Sequence, residues 1–155
     1  KRTMFIRAND TILLIEADEA EVLLAQQAVA SCPAQLHLAV ARDEVEALDW
    51  LTDTVERDCP MPRLILLDLK LPKLAGLAVL RTLRMDTRLQ DVHIVVFSEL
   101  HEPSDVVLSY QLGSNSFVKK PVDLAEFTQL LRELADCGWL SGKGLSQSFS
   151  KSVPQ

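Results

Sequence analysis

The chain has 155 residues, of which 48% are hydrophobic and 25% are charged, and its formal net charge is −6. This length and this mixture are typical of one globular domain that can bury a substantial core. The acidic balance argues against non-specific nucleic-acid binding, which requires a basic surface.

The three cysteines are widely separated and form no CxxC pair: Cys32, Cys59 and Cys137. This arrangement is typical of neither a zinc site nor a disulfide framework, and it fits a reducing cytosol. No apolar run approaches the roughly 20 residues of a membrane helix. We therefore expect a cytoplasmic protein that acts without a nucleic-acid or membrane partner.

Short apolar runs alternate with amphipathic stretches along the chain. The apolar runs predict five strands, at 11–15, 35–41, 63–68, 92–98 and 116–118. The amphipathic stretches predict five helices, at 19–31, 42–53, 77–85, 102–113 and 123–135. The third run, RLILLD, is apolar up to its final aspartate, which indicates a strand buried on both faces.

The helical stretches also predict which residues face the core. The first two helices are expected to bury Val22, Leu23, Gln26 and Val29, and Val45, Leu48 and Leu51. Gly113 is expected to stop the fourth helix, since glycine is favoured just past a helix C-terminus.

Strands separated by single helices require parallel pairing and right-handed crossovers. The sequence therefore predicts an α/β fold, a doubly wound (βα)5 flavodoxin-like sheet, with the common strand order 2-1-3-4-5. We assign this domain to residues 11–136. Residues 1–10 are then an N-terminal extension, and residues 137–155 a C-terminal one that is rich in serine and glycine.

Polar residues stand where the predicted strands end. The first strand leads into Glu16, the third ends in Asp68, the fourth ends in Ser98, and the fifth leads to Lys120. Open α/β sheets bind ligands beyond these ends, at the switch point of strand order, here between strands one and three. Glu16 and Asp68 are therefore expected to converge.

This set of residues predicts phosphoryl chemistry. A pair of carboxylates attracts Mg²⁺, which prefers oxygen ligands and bridges them to phosphoryl groups. An aspartate can act as a nucleophile, and a lysine and a hydroxyl can stabilise the developing charge. The chain contains neither GxGxxG nor GxxxxGK[ST], so a bound nucleotide is not expected.

Four stretches in this order resemble the receiver domain of bacterial response regulators: ILLIEAD, LILLDLKLPKLAGLAVL, IVVFS and SFVKKPVDLAEF. The resemblance covers roughly residues 11 to 135. The chain is most similar to stand-alone receivers associated with phytochrome-type histidine kinases, which also carry a DLxLP loop, a KPxxLxxF segment and a tryptophan just past the last helix.

The resemblance implies a role for each matching residue. Asp68 would be the phosphoacceptor, with Lys120 and Ser98 beside it. Ser98 and Phe117 would be the switch residues, and the bond before Pro121 would be cis, as is usual in the family.

For Mg²⁺, the resemblance implies three ligands: Asp68, Glu16 through a water, and the backbone carbonyl of Lys70. Two departures lower the expected affinity. Ala17 stands where the family has a second acid that binds the metal directly, and Lys70 brings a cation close to the site. Losing an anion matters, since two charges 4 Å apart interact by about 4 kcal/mol at an effective dielectric of 20.

Two features have alternative interpretations. Asp18 is either a displaced metal ligand or the N-cap of the first helix, with Glu21 completing a capping box, and we favour the cap. Trp139 and Leu140 either cover the end of the core or anchor a subunit interface, and we favour a homodimer in which the C-terminal extension is an arm.

The function expected is that of a signalling module and not of a metabolic enzyme: a stand-alone response regulator that accepts a phosphoryl group from a sensor histidine kinase on Asp68. One alternative is a phosphorylation-independent docking or dimerisation module, which Ala17 and Lys70 would suit. Another is an unrelated flavodoxin-like binder or small hydrolase, which the missing phosphate-binding loop argues against.

Overall fold

The computed structural model describes residues 10–32, 35–71, 76–99 and 103–136, the side chains of residues 135 and 136 excepted. The strands are β1 (Thr11–Ile15), β2 (His37–Ala41), β3 (Leu64–Asp68), β4 (His93–Ser98) and β5 (Ser116–Lys119). The helices are α1 (Glu19–Ala30), α2 (Glu44–Glu56), α3 (Gly76–Met85), α4 (Pro103–Gln111) and α5 (Leu124–Asp136). The predicted interface residues Trp139 and Leu140 lie outside the described residues.

The five strands form one parallel sheet in the order β2-β1-β3-β4-β5, which confirms the predicted topology. Ile15 of β1 pairs with Leu67 of β3, and Asp68 pairs with Phe97 of β4. Because these strands are parallel, the residues that end β1, β3 and β4 come together at one edge of the sheet.

Alternate residues of the strands face opposite sides of the sheet and build two cores. One core packs α1 and α5 against residues such as Leu14, Leu66 and Phe97. The other packs α2, α3 and α4 against residues such as Ile15 and Leu67. All five residues of β3 are buried, as the apolar run predicted. Within the described part, no helix is both long and apolar enough to cross a membrane.

The predicted buried faces of α1 and α2 are partly wrong. In α1, Val22 and Val29 are buried together with Ala25 and Ala28, whereas Leu23 is 54% exposed. Small alanines let α1 lie close to α5, and this contact turns Leu23 outward. In α2 the buried residues are Ala47, Leu51 and Thr54, and Val45 is exposed. The helix also continues to Glu56, three residues beyond the predicted end.

Arg84 on α3 ties together three chain segments at the end of the sheet where the strands begin. Its guanidinium donates hydrogen bonds of 2.8 to 3.3 Å to five oxygens: the carbonyls of Gly113, Leu89, Gln90 and Val92, and Oδ1 of Asn115. Gly113 has φ +111° just past α4, as its predicted role as a helix stop requires, and a Cβ there would lie 2.4 Å from Arg84 Cγ.

Arg84→Met should destabilise the fold by about 3 kcal/mol, because several carbonyls lose a charged donor at once. Urea unfolding would measure the difference. Arg81→Met on the same helix is the control, since Arg81 is exposed. A loss of stability no greater than that of the control would show that water replaces the guanidinium without cost.

Candidate functional site

The two predicted acids meet at the carboxyl edge of the sheet. Glu16 directly follows β1, Asp68 is the last residue of β3, and β1 and β3 are neighbours. Glu16 is 1% and Asp68 4% exposed. Two carboxylates buried this deeply require a compensating charge, because burying an unpaired ion is costly.

Lys120 supplies that charge. Its Nζ lies 2.9 Å from Oε1 of Glu16 and 3.3 Å from Oδ2 of Asp68. Its backbone N–H donates to the carbonyl oxygen of Ser98, at 3.0 Å, which fixes the residue just past β5. The ammonium also lies 5.5 Å from the centre of the Phe97 ring, a favourable cation–π distance. The predicted triad of Glu16, Asp68 and Lys120 is therefore one contact group in the structure.

The backbone holds both carboxylates from the other side. The N–H of Lys70 donates to Oδ1 of Asp68 at 3.1 Å, and the N–H of Asp18 donates to Oε2 of Glu16 at 3.2 Å. Oε1 of Glu16 is buried against Lys120 Nζ, at 2.9 Å, so the two groups form a close ion pair.

Burial raises the pKa of Glu16 from its ordinary 4.5 to about 7. Contact with Lys120 lowers this pKa, and the nearby Asp68 raises it again. For Lys120, burial acts to lower the pKa, but the Glu16 and Asp68 carboxylates outweigh it, and the net pKa is raised. Near neutral pH the lysine is charged and Glu16 is poised between its two protonation states.

This pKa makes stability depend on pH. A carboxyl with a raised pKa binds its proton more tightly in the folded than in the unfolded chain, so stability falls as pH rises from 4.5 to about 7. Over that window Glu16 should contribute a loss of about 3 kcal/mol. The variant Glu16→Gln should lack this contribution in urea unfolding at pH 5 and pH 7.5, whereas the exposed Glu56→Gln should behave like wild type. If stability changed equally with pH in all three proteins, the raised pKa of Glu16 would be refuted.

Asp18 is the N-cap of α1, as favoured from the sequence. Its Oδ1 accepts hydrogen bonds from the N–H groups of Ala20 at 2.8 Å and Glu21 at 3.2 Å. The N–H of Asp18 itself donates to Oε2 of Glu16. In a capping box, the side chain of Glu21 would accept that hydrogen bond. Within the described part, no three His, Cys, Asp or Glu side chains group into a metal-binding cluster.

A cavity of about 320 Å³ opens over this contact group. Its lining residues are Glu16, Ala17, Asp18, Asp68, Lys70, Glu99 and Lys120. Sequence reasoning missed Glu99, although its place directly after the predicted switch serine was a signal. Ser98 itself does not line the cavity: it is fully buried, and its backbone carbonyl positions Lys120.

The other predicted switch residue, Phe117, is fully buried in the core beneath α2, α3 and α4. Its backbone N–H donates to the hydroxyl of Tyr110 on α4 at 3.1 Å, so α4 is tied to β5. The predicted cis bond before Pro121 is wrong, since none of the described peptide bonds is cis. The trans form is the intrinsic preference even before proline, and Lys120 reaches both carboxylates from it.

A five-stranded doubly wound sheet with buried acids and a lysine at its switch point defines a receiver-type signalling domain. The sequence model of the response regulator receiver domain family matches residues 12–132. The chain belongs to this family, whose members take part in two-component phosphorelays and receive phosphoryl groups from sensor histidine kinases.

Individual relatives agree with this assignment. The chain is 32% identical over 130 residues to the response regulator Rcp1 of Synechocystis sp., covering 83% of this chain and 88% of that protein. The crystal structure of Mn²⁺-bound Rcp1 is similar with a TM-score of 0.70 at 31% identity, covering 84% and 94% of the two chains. The crystal structure of the phosphorylated cyanobacterial phytochrome response regulator RcpA is similar with a TM-score of 0.73 at 32% identity, covering 87% and 96%. These likenesses favour a phosphorelay role over a phosphorylation-independent docking module.

Proposed function

We propose that Asp68 is the phosphoacceptor of this domain and that a sensor histidine kinase is its donor. The observation that supports this most is the contact group itself: a buried carboxylate that faces an open cavity, with an ammonium 3.3 Å from one of its oxygens. In this proposal the protein acts in the cytoplasm as a signalling module and not as a metabolic enzyme.

The chemistry follows from these contacts. A carboxylate oxygen of Asp68 attacks the phosphorus of a phosphohistidine, the new P–O bond forms as the P–N bond breaks, and the electron pair stays on the imidazole of the donor. The Lys70 N–H and Lys120 Nζ hold the carboxylate in place. Lys120 then offsets charge on the phosphoryl oxygens, which is stabilisation by a preorganised cation.

The donor set also suits a weakly bound Mg²⁺. This ion is commonly held by one or two carboxylates and keeps several waters. Asp68, the backbone carbonyl of Lys70, and Glu16 through a water would hold it, and the cavity of about 320 Å³ that these three residues line has space for the ion. When bound, the ion would neutralise phosphoryl charge. The low affinity is expected because Ala17 offers no ligand and Asp18 is engaged as a helix cap.

The likeness to a phosphorylated phytochrome response regulator supports a phytochrome-type kinase as the donor.

We propose that Trp139 and Leu140 form the interface of a homodimer, with the C-terminal extension as an arm. Analytical ultracentrifugation of wild type and of the variant Trp139→Ala would test the dimer, which the variant should weaken.

A small phosphodonor tests the acceptor directly. Incubation with acetyl phosphate and Mg²⁺ should give an acid-stable, base-labile adduct on wild type and none on Asp68→Asn. Asp91→Asn is the control, since Asp91 lies at the far end of the sheet, and it should be modified like wild type. Wild type that stays unmodified even at tens of millimolar Mg²⁺ would overturn the proposal.

A further inference from the structure

A second cavity lies away from Asp68, at the end of the sheet where the strands begin. It has a volume of about 670 Å³, enough for a small organic molecule. Its walls come from the segments that lead into β3, β4 and β5: Met61, Pro62, Arg63, Arg88, Gln90, Asp91, Val92, His93 and Asn115. Nothing in the proposed phosphotransfer uses this cavity.

Three arginines lie on or just behind the wall of this cavity. Arg84, just behind the wall, gives all its hydrogen bonds of the described part to neutral oxygens, three of them on the wall residues Gln90, Val92 and Asn115. Its charge is therefore not cancelled by a carboxylate in direct contact. Arg63 and Arg88 add two guanidiniums on the wall itself.

The acids nearby compensate this charge only in part. Arg63 pairs with Asp10 at 3.5 Å, and Arg88 pairs with Asp86 at 2.6 Å. The Arg63–Asp10 contact is long, and its side chains are 27% and 23% exposed, so it is weak. Arg88 is held more firmly, because its Nε and Nη2 donate to both carboxylate oxygens of Asp86 at 2.6 to 3.2 Å, and Nη1 takes no part in that pair. Among the described residues of the wall itself, Asp91 is the single carboxylate.

The wall also offers a fixed neutral donor. Oδ1 of Asn115 accepts from the N–H of Ile94 at 2.7 Å and from Arg84 at 3.0 Å, and this fixes which end of the amide is oxygen. The NH2 group of Asn115 has no acceptor among the described residues and is a donor that a ligand can use. Met61 and Pro62 provide apolar surface on the same wall.

The pKa of His93, on the same wall, depends on the charges around the cavity. Its pKa is lowered from 6.5 to about 4, first by burial and then by the charges of Arg84 and Arg63. An anion bound beside it would oppose those charges and raise this pKa.

From this arrangement we propose that the cavity between Arg63, Arg88 and Asn115 binds a small organic anion, with a phosphate or carboxylate group on the guanidiniums and an apolar part on Met61 and Pro62. Guanidinium forks suit both anionic groups. This proposal does not depend on Asp68, and it holds whether or not Asp68 is phosphorylated.

The test uses the full chain, labelled with ¹⁵N and followed by NMR, with three probes. Adenosine monophosphate and citrate represent the two anion classes, and adenosine is the uncharged control. At least one anion should give saturable shifts at Val92, His93 and Asn115, and adenosine should give none. Arg88→Gln should weaken this binding by roughly tenfold or more, because a charged donor is lost. Arg57→Gln, at the neighbouring cavity, should leave it unchanged.

A second readout separates binding from a structural effect. The pKa of His93, from its imidazole shifts, should rise when the anion is present and stay low with adenosine. The proposal is overturned if neither anion gives saturable shifts at this wall in the millimolar range. It is equally overturned if adenosine binds as well as the anions, or if Arg88→Gln binds like wild type.

Discussion

Ala17→Asp should bind Mg²⁺ roughly 10- to 100-fold more tightly than wild type, a gain of about 1.4 to 2.7 kcal/mol. Residue 17 lines the cavity beside Glu16 and Asp68, so a carboxylate there faces the place proposed for the ion. The full Coulomb attraction is larger, about 4 kcal/mol at 4 Å and a dielectric of 20, but desolvation of the new carboxylate and the nearby Lys70 oppose it.

Calorimetric titration with Mg²⁺ would measure this affinity. The variant Asp18→Asn is the control, because asparagine can still cap α1 but offers no carboxylate. It should bind Mg²⁺ within about threefold of wild type if the cap interpretation is correct. An Ala17→Asp protein with unchanged affinity would place the metal elsewhere, and a large loss in Asp18→Asn would make Asp18 a ligand.

Lys120→Met should have the second large effect, a loss of roughly 3 to 5 kcal/mol in the free energy of unfolding near pH 8. Removing the ammonium leaves Glu16 and Asp68 buried side by side without a counter-charge. The sign with pH follows from the raised pKa of Glu16: this carboxyl is protonated and neutral at pH 5, so the loss should shrink toward pH 5.

Lys119→Met is the matched control, since Lys119 is exposed at the end of β5 and should cost little. Chemical unfolding of both variants at pH 5 and pH 8 gives the comparison. A cost that is independent of pH would mean that methionine fails through packing and not through the missing charge.

The fold was predictable because its signals are periodic. The apolar runs and the single helices between them require parallel strands, and the polar residues at the strand ends mark the switch point. Glu16, Asp68 and Lys120 could therefore be assembled from sequence alone, and the structure brings them within hydrogen-bonding range of one another.

What could not be predicted depends on contacts between segments distant in the chain. Leu23 is exposed because α1 faces α5, and no local pattern contains that packing. Arg84 is an ordinary residue of an amphipathic helix in the sequence, and only the fold places five oxygens around its guanidinium.

The phosphoacceptor role of Asp68 is tested most directly by mapping the phosphoryl group after transfer from a phosphorylated phytochrome-type histidine kinase. Peptide mass spectrometry of the reacted full chain should find the modification on Asp68 alone, and Asp68→Asn should remain unmodified while the kinase keeps its phosphoryl group. A modification on any other residue, or transfer to Asp68→Asn at the wild-type rate, would contradict the account.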